Sequence, residues 1–403
     1  MTSRTILVSD GEQRAALAVV RSLGRAGHRV FTCSSRGRSI AGASRYCRAE
    51  AKVSDALANP AAYIADLTAL VRTWQPDVLI PITDASLLAV LSARERFGGI
   101  CIPFPDIETF RRVSDKALVL QTAPQFGIGV PEQWSLASPD ALMALPADSL
   151  PFPLVLKPSR SVPVNGRQRM KFSVRYAADP QELEAQLGQF DAAAYPILLQ
   201  AHLRGPGIGV FLLLWEGATI AVFSHRRIRE KPPSGGVSVY AESIPADPEL
   251  VRRSQSLLSR FGWQGVAMVE YKLDAASGTP HLMEINGRFW GSLQLAVDAG
   301  VDFPRLLIAA ATGEHPSPVL QYRPGVRTRW WWGDVDHLLA RLRQQEKGSG
   351  PLIDAASKWR AVRDFFSLWR PGDHNEILRL SDPRPFGRET VEWFRGIKWF
   401  RGW

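Results

Sequence analysis

The sequence predicts a mixed fold, α/β followed by α+β, and three observations carry that prediction. Over the first hundred residues short apolar runs alternate with amphipathic stretches, the pattern of a parallel sheet flanked by helices. In the middle of the chain strand-like runs broken by Gly and Pro outnumber helical ones. Beyond Pro324 amphipathic helical stretches take over.

Taken in order, "TILVSD" is a short apolar strand and "RAALAVVRSLGRAG" a helix that Gly27 closes before a second strand, "HRVFTCS". "PDVLIPIT" and "DASLLAVLSARERFG" repeat the strand–helix pair. The loop "ITDAS" ends its strand where open α/β sheets bind ligands. The first loop lacks GxGxxG and gives no sign of a dinucleotide. A Pro-rich join follows. Within it "SDKALVLQTAPQFG" reads as a helix capped by Ser114 or Asp115, with Lys116 in the first turn. "PFPLVLKPSR" is a buried strand ending in Lys157, and "SRSVPVNGRQRMKFSVRYA" an aperiodic basic loop leading into another strand. "DPQELEAQLGQF" is a helix, and "YPILLQAHLRGPGIGVFLLLWEG" two strands around a Gly-Pro-Gly break. "ATIAVFSHRRIREKPPSGGVSVYAES" is a strand with a long basic loop, and "DPELVRRSQSLLSRFGW" a helix stopped at Gly262. "GVAMVEYKLD" and "TPHLMEING" are strands joined by "AASG". "DHLLARLRQQ" and "SKWRAVRDFFSLW" are helical stretches of the tail.

With 403 residues, 45% hydrophobic and 22% charged, the chain can build two or three domains around ordinary cores. No run approaches the ~18–20 apolar residues of a spanning helix. The N-terminus lacks the order of a signal peptide, and Cys33, Cys47 and Cys101 are scattered, so a reducing cytoplasm is expected. The net charge is +10, and residues 321–403 hold 16 Lys and Arg against 10 Asp and Glu, with 8 of the 13 Trp. This favours an anionic partner, a membrane surface or a charged substrate, over an unremarkable basic face only through the company of the tryptophans. No nucleic-acid module accompanies the charge, so nucleic acid is not an expected partner.

The stretch "HLMEINGRFWGSLQLA" sets Glu284, Asn286 and Arg288 at alternate positions, hence on one face of a strand. If the hairpin turns about Ser277, with Gly278 supplying the turn conformation, Glu270 and Glu284 fall opposite each other. Facing carboxylates repel unless a cation lies between them. With Asn286 they offer a compact set of oxygen donors suited to Mg²⁺, together with substrate phosphates. The alternative is that Glu270 faces solvent and Glu284 pairs with Arg288. Lys116 at a helix start and Lys157 at a strand end are candidates for phosphate contacts. The loop from Ser159 to Lys171, with Arg160, Arg167 and Arg169, is a candidate cover for the phosphates.

In this order "SDKALV", "PLVLKP", "ILLQAHLRGPG", "GVAMVEYKLD" and "HLMEINGRFWGSLQLA" resemble the ATP-grasp superfamily. The similarity is to its carbamoyl phosphate synthetase-like carboxylate–amine ligases, a group that includes the D-aspartate ligases, and it spans Asp106 to Gly313. The resemblance implies a pre-ATP-grasp domain at 1–110, a two-lobed ATP-grasp fold at 111–320 and a basic, Trp-rich helical extension at 321–403. It also implies ATP held by Lys116, Lys157, Gln200, Ala201, His202, Leu203, Gly235 and Gly236. Two Mg²⁺, for which Mn²⁺ can substitute, would sit on Glu270, Glu284 and Asn286. Arg288 would stabilise an acyl phosphate, and Arg229 and Lys231 would stand where acceptor and γ-phosphate meet. Ala201 departs from the family's frequent Glu, "GPGIG" lacks the usual ribose carboxylate, and the phosphate-covering loop is poor in glycine.

The implied activity is an ADP-forming ligation of a small-molecule carboxylate and an amine, in a cytoplasmic protein compatible with a homodimer. The first half of the tail is expected to pack on the catalytic region. "EWFRGIKWFRGW" is expected to touch the inner face of an anionic membrane, which would suit an envelope or lipid-linked acceptor. The competing expectation is a non-catalytic, membrane-associated nucleotide-binding scaffold, favoured by the tail and Ala201 and opposed by the complete Lys, Glu and Asn set.

Overall fold

The computed structural model describes residues 2–144, 150–160, 162, 172, 174–233, 235–343, 358–367 and 372–399. Its first unit is a parallel sheet of β1 (Thr5–Val8), β2 (Arg29–Ser34), β3 (Cys47–Lys52) and β4 (Val78–Ile80), in the order β3-β2-β1-β4. Helices α1 (Arg14–Arg25), α2 (Pro60–Trp74) and α3 (Asp84–Ser92) connect the strands. Strand β3, with half-exposed "CRAEAK", and helix α2 carry signals too weak to have been anticipated. The predicted helix after β4 stops at Ser92, where a 3₁₀ turn over Arg94–Phe97 replaces it.

The Pro-rich join holds two helices rather than one, α4 (Ile107–Ser114) and α5 (Lys116–Thr122), with Asp115 between them as the cap of α5. Next comes a small antiparallel sheet of β5 (Gln133–Leu136), β6 (Leu154–Pro158), β7 (Arg175–Ala177) and β8 (Ile197–Ala201), ordered β5-β8-β6-β7. Helix α6 (Pro180–Leu187) covers it around its own core of Leu154, Leu156, Leu183 and Leu199.

The large sheet contains β9 (Gly207–Trp215), β10 (Ala218–Lys231), β11 (Val237–Ser243), β12 (Gly265–Leu273) and β13 (Pro280–Asn286). Helices α7 (Pro248–Arg260), α8 (Leu293–Ala299) and α9 (Phe303–Ala311) accompany it. Central β9, "GIGVFLLLW", is apolar and mostly buried, with α7 and α9 packed against it, and Phe211 lies 4.2 Å from Trp290 between ring centroids.

The extension contributes more than helices. β14 (Arg327–Arg329) pairs antiparallel with β11, and β15 (Asp373–Asn375) pairs parallel with β14, completing a seven-stranded sheet β13-β12-β9-β10-β11-β14-β15. Between and after them lie α10 (Trp331–Arg343), α11 (Lys358–Ser367) and α12 (Arg384–Trp399). The first half of the tail packs inward, as its apolar pattern implies. Trp331 lies against Phe365, and Trp332 stacks on Trp393 at 4.1 Å. Buried Asp334 is shared by Arg229 and Arg329.

The same extension returns to the first domain. Arg21 of α1 lies 2.9 Å from Asp382 and also donates to the carbonyls of Ile377 and Asp382, while Arg14 pairs with Glu376 at 2.5 Å. Both partners of the Arg21–Asp382 pair are buried, and burial lowers the Arg21 pKa. Removing one member strands the other charge. Asp382→Ala is therefore expected to cost about 3–5 kcal/mol of stability, read as a lower urea midpoint at unchanged slope.

Candidate active site

Glu270 and Glu284 are register partners across β12 and β13. Near the turn Leu273 pairs with Pro280 and Tyr271 with Leu282, so the turn is centred between Ala276 and Ser277 rather than on Ser277. A register shift between Tyr271 and Glu270 leaves Met283 unpaired and brings Glu270 onto Glu284; without that bulge Glu270 would face Met283. Gly278 adopts φ 70°, and Asp274 ties the turn by accepting from the Ser277 N–H at 3.1 Å and its hydroxyl at 2.7 Å.

Glu270 is largely buried, and Arg288 bonds to Asp84 and Asn286 rather than to Glu284. Glu284 lies 3.3 Å from Lys116 Nζ and accepts from Asn286 Nδ2 at 3.0 Å. Glu270 lies 2.6 Å from Arg227 Nη2. Burial pushes the Glu270 pKa up in spite of Arg227. At Glu284 burial acts the same way, but Lys116, Asn286 and Lys157 overcome it and hold the group down at about 2. The two facing groups are thus driven apart, which keeps at least one ionised.

The lysines arrive from different elements. Lys116 opens α5, whose cap Asp115 accepts from the Leu118 N–H at 3.2 Å. Ser159, just past β6, donates its hydroxyl to Asp115 at 2.5 Å and accepts the Lys116 amide at 2.9 Å. Arg160 adds a 3.0 Å bond to Asp115. This clasp fixes the end of β6, and so Lys157, against the start of α5. Lys157 Nζ is 3.7 Å from the Met283 sulfur, and burial pushes its pKa down to about 8.

Arg288 donates from Nε to Asp84 at 2.9 Å and from Nη2 to Asn286 Oδ1 at 2.9 Å. Asp84 opens α3 within "ITDAS", so the loop expected to meet a ligand holds the arginine of the second unit. Buried Phe289 and Trp290 anchor the turn that carries Arg288, each contributing about 2–3 kcal/mol of burial. A cleft lined by Asp84, Phe110, Lys116, Arg160, Glu284 and Asn286 opens between the first domain and these groups.

Gln200 is buried at the end of β8, donating to Gln133 Oε1 at 2.9 Å. The amides of Ala201 and His202 bond to the carbonyls of Glu132 and Pro153. Burial, with Lys272, Arg204 and Lys157, lowers His202 to about 4, so its ring is neutral at pH 7. Gly235 and Gly236 lie in the β10–β11 loop, and a Cβ on Gly235 would stand 3.1 Å from the Tyr176 hydroxyl of β7.

Two expected site residues are paired with the extension. Arg229 is paired with Asp334 and also donates to the Asp364 carbonyl at 3.3 Å; Lys231 is paired with Asp336. The reason is a register shift between Arg227 and Arg229, which breaks the alternation that "RRIREK" implies. Arg227 reaches Glu270 in their place. Nothing in the spacing distinguished it, since the shift is set by pairing with β11. Asp84 was likewise hidden, because its partner lies 204 residues away. Of the basic loop, Arg167, Arg169 and Lys171 fall outside the described residues.

The donor set fits a hard divalent cation: two adjacent carboxylates and an amide oxygen, already matched by ammonium and guanidinium groups. Among the described residues no three His, Cys, Asp or Glu side chains converge, so a cation here also needs oxygens from bound phosphates.

Comparison with solved structures supports the architecture. An L-amino acid ligase from Bacillus licheniformis matches with 18% identity over 77% of this chain and 75% of its own, TM-score 0.60. A Campylobacter jejuni biotin carboxylase in complex with β,γ-ATP matches with 16% identity over 81% and 74%, TM-score 0.64. A Staphylococcus aureus N5-carboxyaminoimidazole synthetase complexed with ADP matches with 14% identity over 80% of each chain, TM-score 0.59. The chain has the ATP-grasp fold. Within it, residues 193–332 match the family described as ATP-grasp in the biosynthetic pathway with Ter operon. Among curated proteins no sequence matches.

Lys157 gives a pH signature. If Lys157 contacts a bound phosphate, which favours its charged form, nucleotide affinity should be full below pH 8 and fall by up to about tenfold per unit above it. In Lys157→Arg, which stays charged, ADP affinity measured by calorimetry should be flat between pH 7 and 9.

Proposed function

We propose that the protein is an ATP-dependent, ADP-forming ligase that joins a carboxylate to an amine through an acyl phosphate. The observation that carries this is the Glu270–Glu284 pair, with Lys116, Lys157, Asn286 and Arg288 around it. In this reading a carboxylate oxygen of the substrate attacks the γ-phosphorus of ATP and ADP departs. The amine nitrogen then attacks the acyl carbon, phosphate leaves with one former carboxylate oxygen, and the amine releases a proton. Mg²⁺, or Mn²⁺, held by Glu270, Glu284 and Asn286 would neutralise phosphate oxygens that otherwise repel an anionic nucleophile. Lys116 and Lys157 bind those phosphates as point charges. The segment Gln200–Leu203 meets the adenine. The Ala201 and His202 amides are already engaged by the Glu132 and Pro153 carbonyls. Arg288, held in place by Asp84, stabilises the oxyanion formed on the acyl carbon. The cleft beside Asp84 and Phe110 receives the carboxylate substrate and keeps water from the anhydride.

A peripheral membrane contact is supported by the extension. Trp359 and Phe366 of α11 and Phe394 of α12 are exposed, at 82%, 70% and 53%, beside Arg363, Arg388 and Arg395. Trp393, expected to face lipid, stacks on Trp332 instead. Among the described residues no helix is long and apolar enough to cross a membrane, so the contact would be interfacial, with a lipid-linked acceptor. The same set of Lys, Glu and Asn residues argues against a non-catalytic scaffold.

Glu284→Gln should lower ADP release by at least about 100-fold over a panel of carboxylates and amines, with the melting transition close to wild type. Near-normal ADP release by the folded variant defeats the ligase reading. Trp359→Ser combined with Phe394→Ser should abolish flotation with anionic phosphatidylglycerol vesicles; undiminished flotation counts against the lipid contact.

A further inference from the structure

Arg227 is the guanidinium that meets Glu270, yet none of the roles above uses it. It stands on β10, and β9 lies between it and β12. With strands roughly 4.8 Å apart, its side chain must cross about 9–10 Å over an intervening strand. Gly207 of "GPGIG" clears the way. A Cβ on Gly207 would stand 2.9 Å from Arg227 Cδ and 3.2 Å from Glu230 Oε1, and Gly209 is the register partner of Glu270 itself. At the far end Arg227 Nη2 lies 2.6 Å from Glu270, while Nη1 donates to Glu230 at 3.0 Å and to the Gly236 carbonyl at 3.1 Å. The side chain is 11% exposed. One buried guanidinium therefore joins a carboxylate of the site to the β10–β11 loop, and that loop abuts Tyr176 of the small lobe.

We propose that Arg227 is a positioning residue that competes with the divalent cation for Glu270 and couples the outcome to the β10–β11 loop through Gly236. The inference rests on Glu270 as a metal ligand. A cation drawn to Glu270 sets a second positive charge beside the guanidinium, and the two repel. Arg227 then shifts its weight to its other acceptors, Glu230 and the Gly236 carbonyl, one of which belongs to the loop. The charge state of the site is thus read as the position of a loop that bridges the two lobes. It also gives Gly207 a purpose, as the passage for a side chain.

The test uses full-length protein and Mn²⁺ with ADP as probe. Mn²⁺ binding is followed by its paramagnetic resonance, and hydrogen exchange is followed over residues 231–237. Arg227→Met removes the competing charge, so Mn²⁺·ADP should bind about tenfold tighter, and loop exchange should rise and cease to respond to the probe. Arg227→Lys keeps a charge near Glu270 but cannot also reach the Gly236 carbonyl, so it should retain near-wild-type affinity and lose the loop response. If the Met variant melts well below wild type, the Lys variant decides alone. Unchanged or weaker Mn²⁺·ADP binding in a folded Met variant, or a wild-type loop response in the Lys variant, overturns the coupling and leaves the ligase reading standing. Failure of the wild type to bind Mn²⁺·ADP overturns both.

Discussion

Two carboxylates held face to face across a hairpin require positive charge on both, and the surroundings of Glu270 and Glu284 are arranged to supply it. Each cation comes from a different part of the chain: Lys116 from the first turn of α5, Lys157 from β6, Arg227 from β10. Bringing them together means bringing together the join, the small lobe and the large sheet. The Ser159–Asp115 clasp shows how strictly this is done, since it locks the loop after one lysine onto the cap beside the other. The site and the fold are in this sense one problem with one solution.

The first domain is part of that solution. Asp84 accepts from Arg288, so the α/β unit fixes an arginine of the second unit through an ion pair. The extension reinforces the arrangement from the opposite side. Its strands lengthen the large sheet while its buried pairs with Arg14 and Arg21 reach the first helix. The molecule is therefore cross-braced around the cleft, and the tail's tryptophans contribute to this bracing more than its composition alone implied.

Local patterns were legible where local physics decides the structure. The amphipathic period of α1, the Asp115 cap and the alternation of Glu284 and Asn286 all reflect interactions within a few residues, whereas Arg288 lies past the end of the strand. The facing of Glu270 and Glu284 was also legible, but by partial cancellation: the turn lies between Ala276 and Ser277, and the Met283 bulge restores the pairing that symmetry about Ser277 implied. What was not legible depends on partners distant in sequence. Arg227 was indistinguishable from Arg229 until β11 set the register of β10, and Asp84 gained its meaning only from Arg288. Strand β15, three residues long, exists because β14 gives it an edge to join.

The union of Arg21 with Asp382 has a consequence for the order of events at the ribosome. The first helix emerges early, carrying a cation whose buried partner is synthesised 361 residues later. Until then that cation has no counter-charge, and α1 presents an incomplete face. Helix α1 can take the packing seen here only after Asp382 has been made, so the union of these two elements follows the synthesis of everything between them.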